Sequence, residues 1–314
     1  MTSLSRKAHR TDTQASRAAK KNRRPIRPGL VAGWIALIIL LFITLVPFVW
    51  MIRTAFTPNA QIFNGDYSLI PQQSTWINFK RVLGLATPKE DLAAGGSGAT
   101  MYFWLYLRNS VIFTALLVVG QVTTSAMAAY AFSRLRFPFQ NALFALFLTG
   151  MMIPPIFIVL PNFILIKNAG LLNTFTGLLA PYFFISPFAI FFLRQFFLSI
   201  PREVEEAATL DGAGHWRTFV QIIAPMASAP LTTIAIIQAV FAWNEYLWPQ
   251  LVAQKHAVRL LNVALAVFQQ ASPSTRPDWA GLMAAATLQT LPMLLVLILL
   301  GRKLVGSIGL TSAK

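Results

Sequence analysis

A chain of 314 residues with 56% hydrophobic and only 11% charged residues is too poor in charge for an ordinary soluble domain, where charged residues make up roughly 25%. It has no cysteine, which excludes a disulfide framework, a thiol nucleophile and a cysteine-based metal site. The net charge of +16 would suit nucleic acid, yet nine of the 26 basic residues crowd into the first 28 positions, a tail pattern that sets membrane topology and touches anionic lipid.

The charges mark the apolar segments. Stretches without a charge run from Arg27 to Arg53 (25 residues), Arg108 to Arg134 (25), Arg136 to Lys167 (30), Lys167 to Arg194 (26), Arg217 to Glu245 (27) and Asp278 to Arg302 (23). A 25-residue helix is about 37 Å long against a hydrocarbon core of about 30 Å, so each stretch is long enough to cross with some tilt. The reading is an all-α polytopic membrane protein with six transmembrane helices and both termini cytoplasmic. With that orientation the inner segments carry 17 basic residues and the outer ones 9, at higher density inside. In chain order the expected parts are a basic tail (1–28), a first transmembrane helix (29–52), an outer segment (53–108), a five-helix core (109–301) and a short C-terminal tail (302–314). The first span is too long for a signal peptide, and no small-residue cleavage site follows it. Within the outer segment "TPKEDLAAGGSGAT" reads as a flexible insertion. A second outer segment, 245–278, contains "QQASPSTRPDW" and reads as an irregular loop.

Between the fourth and fifth stretches lies "SIPREVEEAATLDGAGHWRTFVQIIAP", the longest polar interruption of the core. Ser199 is suited to cap a helix, Pro201 to its first turn, and the acids that follow to the positive end of its dipole. Arg202 and Glu206 stand four apart on one face. Gly212 allows a positive φ, which ends one helix and starts a turn. "HWRTFVQII" then opens a second helix, with Pro225 at the junction to the fifth span. A helix–turn–helix elbow over 199–225 follows, with Trp216, Phe219 and Val220 available as apolar contacts for a partner.

Glu206-Ala207-Ala208, Gly212 three residues on, and Ile222-Ile223-Ala224-Pro225 nine residues later resemble the EAA loop of binding-protein-dependent ABC importers. "NSVIFTALLVVGQVTTSAMAAYAFSRLRF", "MMIPPIFIVLPNFILIKNAGLLNTFTGLLAPYF", "FAWNEYLWPQL" and "VGSIGLTSAK" resemble the carbohydrate branch, in particular the second permease subunit of maltose-type and multiple-sugar importers. The likeness runs from about residue 30 to the end. Ala224 departs from the family's usual leucine, the tail is long, and 84–103 looks inserted.

The resemblance implies a type I ABC importer permease fold in the bacterial inner membrane. It implies that Glu205, Glu206, Ala207, Ala208, Asp211, Gly212, Trp216, Phe219 and Pro225 form the elbow that docks on an ATP-hydrolysing subunit. The partners implied are a second, homologous permease subunit, an ATPase dimer and an extracytoplasmic sugar-binding protein. ATP and Mg would be bound by the ATPase, and no cofactor or metal by this chain.

The residues themselves are consistent with that division of labour. No G-x-x-x-x-G-K-[ST] occurs, so the chain lacks a phosphate-cradling P-loop. His9, His215 and His256 fit no zinc spacing, and Glu205 and Glu206 point about 100° apart on a helix. No nucleophile elbow is present, so no enzyme is read here. An ion-gradient-driven secondary transporter is the alternative, opposed by the lack of ionisable groups inside the spans; Glu245 lies only at the outer end of the fifth. Pro47, Pro154, Pro155, Pro161, Pro181, Pro187 and Pro292 lie in or beside spans and predict bent helices around a cavity. Trp243, Asn244 and Tyr246 are candidates for the outer end of a solute pathway. The solute is expected to be a sugar or oligosaccharide.

Overall fold

A computed structural model of the chain describes residues 28–63, 68–96, 101–271 and 277–309. The basic tail before Pro28, the last four residues of the expected insertion and the Ser/Pro-rich part of the segment 245–278 therefore lie outside the described residues, as do the last five positions. The described residues are helical, with no strand among them.

In chain order the helices are α1 (Pro28–Ala55), α2 (Asn59–Ile62), α3 (Ile77–Val82), α4 (Pro88–Ala93) and α5 (Phe103–Arg134). Then come α6 (Gln140–Met151), α7 (Pro155–Asn168), α8 (Phe175–Leu179), α9 (Pro187–Ser199) and α10 (Glu203–Leu210). The chain continues with α11 (His215–Met226), α12 (Ser228–Asn244), α13 (Leu247–Val252), α14 (Leu261–Ala271) and α15 (Trp279–Gly309). Two compact units divide at Trp50 and Met51. The first carries most of α1, an apolar helix with Pro47 inside it and its one charge, Arg53, in the last turn. The second carries everything from Met51 onward.

Among the described residues three helices are long and apolar enough to cross a membrane: α1, α5 and α15. Two further stretches are bent pairs, α6 with α7 at 99° and α11 with α12 at 79°. Proline explains where they break. Pro154 and Pro155 carry no N–H, so the chain turns there without orphaning two donors. Pro225 and Pro230 flank the second bend, which falls at Ala227, two residues beyond the expected junction.

The fourth apolar stretch differs from the continuous helix expected. It consists of α8, an irregular run at 180–186, and α9, whose 13 residues reach only about 20 Å. Pro181 sits in the irregular run. Pro187 opens α9 at its first position, with the Ser186 hydroxyl accepting from the Ala189 N–H.

Helix α5 is the spine, 32 residues and about 48 Å long. One apolar core joins its C-terminal half to α9, α11 and α12 through Ala129, Phe132, Leu193, Phe197, Phe219 and Ile223. A second joins its N-terminal half to α8 and α13 through Phe113, Leu117, Leu178 and Trp248. A third packs its first turn against α3, α14 and α15.

The segment expected as a flexible insertion carries a capped helix. The Thr87 hydroxyl accepts from the Glu90 N–H while the Glu90 carboxylate accepts from the Thr87 N–H at 2.8 Å, a capping box at the start of α4. Asp91 of this helix is buried against Arg81 of α3, which also pairs with Asp278 at the start of α15. Burial works to lower the Arg81 pKa, but hydrogen bonds and charge from Asp278 and Asp91 outweigh it and raise the guanidinium above its ordinary value. One cation thus ties α3, α4 and the start of α15 together.

Removing one partner of such a buried network leaves uncompensated charge. Arg81→Ala should cost about 3 kcal/mol or more, read as a lowered thermal unfolding midpoint in detergent; an unchanged midpoint would show that the two aspartates do not depend on it. Gly120 faces the irregular run so closely that a Cβ would lie 2.5 Å from the Phe183 carbonyl oxygen. Gly120→Ala should therefore destabilise by about 1–3 kcal/mol, whereas Gly150→Ala, with nothing within 4 Å of its Cβ, should not.

Candidate functional site: a helical elbow and a polar seam

The elbow forms as two helices at a glycine turn. Glu203, Glu205 and Glu206 occupy the first turn of α10, where the dipole favours acids. Ser199 does not cap it: Ser199 is the last residue of α9, and its hydroxyl donates to the Phe196 carbonyl. The chain needs Ile200–Arg202 to turn before α10 begins, which moves the start four residues on. The helix ends as the sequence requires, with Gly212 at φ +77°. Its N–H donates to the Thr209 carbonyl, and the Ala213 N–H reaches back to the Ala208 carbonyl at 2.9 Å. This pair of bonds satisfies the helix end and demands a left-handed residue, which glycine supplies without strain. Helix α11 begins at His215 and widens to a π turn over Phe219–Ile223, where the Ala224 N–H reaches the Phe219 carbonyl five residues back.

The structure sorts the expected elbow residues into two sets. Glu206, Ala207, Asp211, Gly212, Trp216 and Pro225 are exposed, Trp216 at 64%, and beside them Leu210 projects at 89%. Val220 is exposed as well. Phe219 instead turns inward, 8% exposed, against Tyr130 and Trp216 at ring-centroid distances of 5.1 and 5.9 Å. Ala208 is buried, and Glu205 faces the interior. Tyr130, Trp216, Phe219 and Leu135 line a groove of about 170 Å³ beside the elbow.

Arg134, the last residue of α5, lies beneath the elbow. Its guanidinium donates to the carbonyls of Phe197 and Ile200, each at 2.5 Å, at the end of α9. Its Nε stands 2.8 Å from Glu205 Oε1, a charge contact rather than a directed hydrogen bond. Arg194 makes the return link, donating to the Phe132 carbonyl at 3.2 Å with its guanidinium 4.2 Å over the Phe144 ring. In the sequence these two arginines served only to mark span ends.

A polar seam crosses the core where the fourth stretch is irregular. Gln121 donates to the Tyr182 carbonyl, Ser125 accepts from the Ser186 N–H at 3.1 Å, and Gln238 donates to the Ser186 hydroxyl at 2.8 Å. Two side chains of α5 thus replace backbone partners that a continuous helix would have supplied, and Gln238 of α12 ties the Ser186 side chain into the same seam. The signal was present in the sequence: single glutamines inside "LLVVGQVTTSA" and "IAIIQAVF" are costly to bury without a partner.

The candidates for the pathway's outer end separate. Trp243 is buried at 8%, and its carbonyl accepts from Asn262 at 2.8 Å. Asn244 is exposed and donates back to the Val240 carbonyl, and Tyr246 is half-buried. Asn262 and Gln289 join the same corner by a hydrogen bond, a pair not singled out from the sequence. The neighbouring surface is stitched from distant segments. Asn109 donates to the carbonyls of Ala257 and Arg259, Tyr106 meets His256 at 2.5 Å, and Tyr102 stands edge-on to the same imidazole. Asn173, at φ +61°, accepts from the N–H groups of Gln254 and Lys255. Among the described residues no group of three acids or histidines is placed to hold a metal.

Residues 121–309, which include the seam and the elbow, match the family model of binding-protein-dependent transport system inner membrane components. A probable ABC transporter permease protein of Bacillus subtilis is 32% identical over 94% of this chain and 92% of its own length. The sn-glycerol-3-phosphate transport system permease protein of Yersinia pestis is 33% identical over 85% of this chain and 92% of its own. The trehalose/maltose transport system permease protein of Thermococcus litoralis is 31% identical over 88% and 94%. Among solved structures, a chain of a bacterial ABC transporter involved in the import of the acidic polysaccharide alginate shares the fold, with a TM-score of 0.71 at 20% identity over 90% of this chain and 99% of that one. The chain therefore belongs to the binding-protein-dependent transport system inner membrane components, and is a multi-pass permease subunit of an ABC importer in the bacterial cytoplasmic membrane.

Proposed function

We propose that this subunit forms half of an import pathway for a sugar or oligosaccharide, the other half being a second, homologous permease subunit. The observation that carries the coupling part is the elbow, a protruding helix pair with Leu210 and Trp216 exposed and Phe219 and Ile223 rooted in the core. Apolar side chains held out by an ordered base suit a groove on another protein. That partner is an ATPase dimer, which binds the ATP and Mg that this chain has no motif to hold. The chain crosses the membrane six times with both termini in the cytoplasm: α1, α5, the α6–α7 pair, the α8–α9 stretch, the α11–α12 pair and α15. On this reading the face built from Tyr102, Tyr106, His256 and the 254–260 turn receives an extracytoplasmic sugar-binding protein. Closure of the ATPases moves the elbows, and the permease halves shift between inward- and outward-open populations. The solute class is supported by the relatives, which are named as transport systems for trehalose and maltose, diacetylchitobiose and sn-glycerol-3-phosphate.

Purification of the tagged chain from native membranes in mild detergent should recover a P-loop ATPase and a second multi-span subunit. Glu206→Ala should lower recovery of the ATPase. Recovery of the chain alone would refute the assignment, and uptake that survives ATP depletion but collapses with an ionophore would transfer it to a secondary transporter. At Gly212 the Cβ of a substituent meets nothing within 4 Å, so the penalty is backbone strain alone. Gly212→Val should cost about 1–3 kcal/mol at the turn and abolish uptake while the chain still inserts. Normal uptake by that variant would show that the turn geometry is dispensable.

A further inference from the structure

We propose that Glu205 is not part of the docking face but, with Arg134, forms the strut that transmits elbow movement into α5 and α9. This rests on the reading of the elbow as the ATPase-coupling element. Glu205 and Glu206 are adjacent, so their side chains leave α10 about 100° apart. Glu206 is exposed, whereas Glu205 keeps only 20% of its side chain exposed and turns to Arg134, whose side chain is 4% exposed.

Helix α10 has little else to hold it. Its one buried residue is Ala208, and a single methyl group gives a weak grip. Its other tie is the glycine turn into α11. Arg134 supplies the grip in a form that packing does not. One guanidinium, on the last residue of α5, holds two carbonyls at the end of α9 and meets the first turn of α10. Arg194 fixes α9 back onto α5 through the Phe132 carbonyl. Separating the pair is costly, since it leaves the buried Arg134 guanidinium without a counter-charge. The pair therefore travels together, and a displacement of α10 arrives at α5. The other end of that helix carries Asn109, bonded to the Ala257 and Arg259 carbonyls, and Ser110, which accepts from the Leu261 N–H at 2.8 Å. The path from the elbow to the opposite face is one rigid helix with a polar clamp at each end.

The native chain has no cysteine, which makes it suited to site-specific labelling. Environment-sensitive maleimide dyes would be placed singly at Thr209→Cys on the elbow and at Trp104→Cys, 63% exposed near the start of α5. The complex, with its other subunits made cysteine-free, would be reconstituted and its emission followed on addition of ATP, Mg and vanadate. In the unaltered chain both dyes should respond. With Glu205→Gln, a nearly isosteric change, the ATPase should still co-purify and the Thr209→Cys dye should respond as before. The Trp104→Cys response should fall about tenfold, the scale of coupling inside one charged network. A defect confined to stability would weaken both responses together and overturn the strut. Equal responses at both sites in Glu205→Gln would also overturn it, as would loss of the ATPase from Glu205→Gln, which would return Glu205 to the docking face. Glu206→Gln should show the reverse pattern, weaker ATPase recovery; full recovery with an unchanged Trp104→Cys response in both variants would count against the division between the two acids. If the unaltered chain recovers no ATPase, the import reading fails and the strut with it.

Discussion

The fold is governed by the requirement that every backbone N–H and C=O in an apolar surround find a partner within the protein. Long uninterrupted helices meet it by themselves, and α1, α5 and α15 do so. The other apolar stretches are broken, and each break is built so that few groups are orphaned. At Pro154 and Pro155 two donors are missing from the start. At 180–186 Gln121 and Ser125 of α5 step in for absent helical partners, and Gln238 of α12 holds the Ser186 side chain. At the elbow the glycine turn closes α10, and a π turn over Phe219–Ile223 leads up to Pro225. The irregular run thus requires polar side chains from its neighbours, which accounts for the glutamines and Ser125 inside largely apolar helices.

That arrangement gives α5 a double role. It is the surface on which all three apolar cores are laid, and its polar and charged positions hold the breaks of its neighbours. Gln121 and Ser125 serve the irregular run, Arg134 serves the end of α9 and the elbow, and Asn109 and Ser110 serve the 257–261 turn. A permease must change shape without exposing backbone to lipid. A rigid spine carrying clamps, flanked by helices already bent, is a physical means of doing so. The elbow has the complementary design: an exposed apolar tip, set on a root of Phe219 and Ile223 that belongs to the core.

Much of this was legible in the residues. Charge spacing located the apolar stretches, because an ion inside lipid is expensive. Gly212 announced its turn, because only a residue without a Cβ takes φ +77° freely. The acids of α10 stood where the helix dipole wants them. The sequence was less informative wherever burial decides. Trp216 and Phe219 look alike as aromatic residues of one amphipathic helix, yet one projects and the other packs against Tyr130. Glu205 and Glu206 are chemically identical neighbours, and only the position of Arg134, 71 residues away, separates an inward acid from an outward one. The fourth stretch read as a continuous span because periodicity does not register where side chains from other helices make an irregular backbone affordable.

The sequence by itself determined where the long apolar segments lie, where the chain turns at Gly212 and near its prolines, and which family the elbow belongs to, since these depend on local sterics, on solvation of single residues and on spacing along the chain. Only the tertiary structure decided that α8 and α9 form no continuous span, that Arg81 gathers Asp91 and Asp278, and that Arg134 joins three helices under the elbow. Those outcomes depend on which distant polar groups meet in an apolar interior, where an unpaired charge or backbone group is costly enough that the location of its partner fixes the geometry.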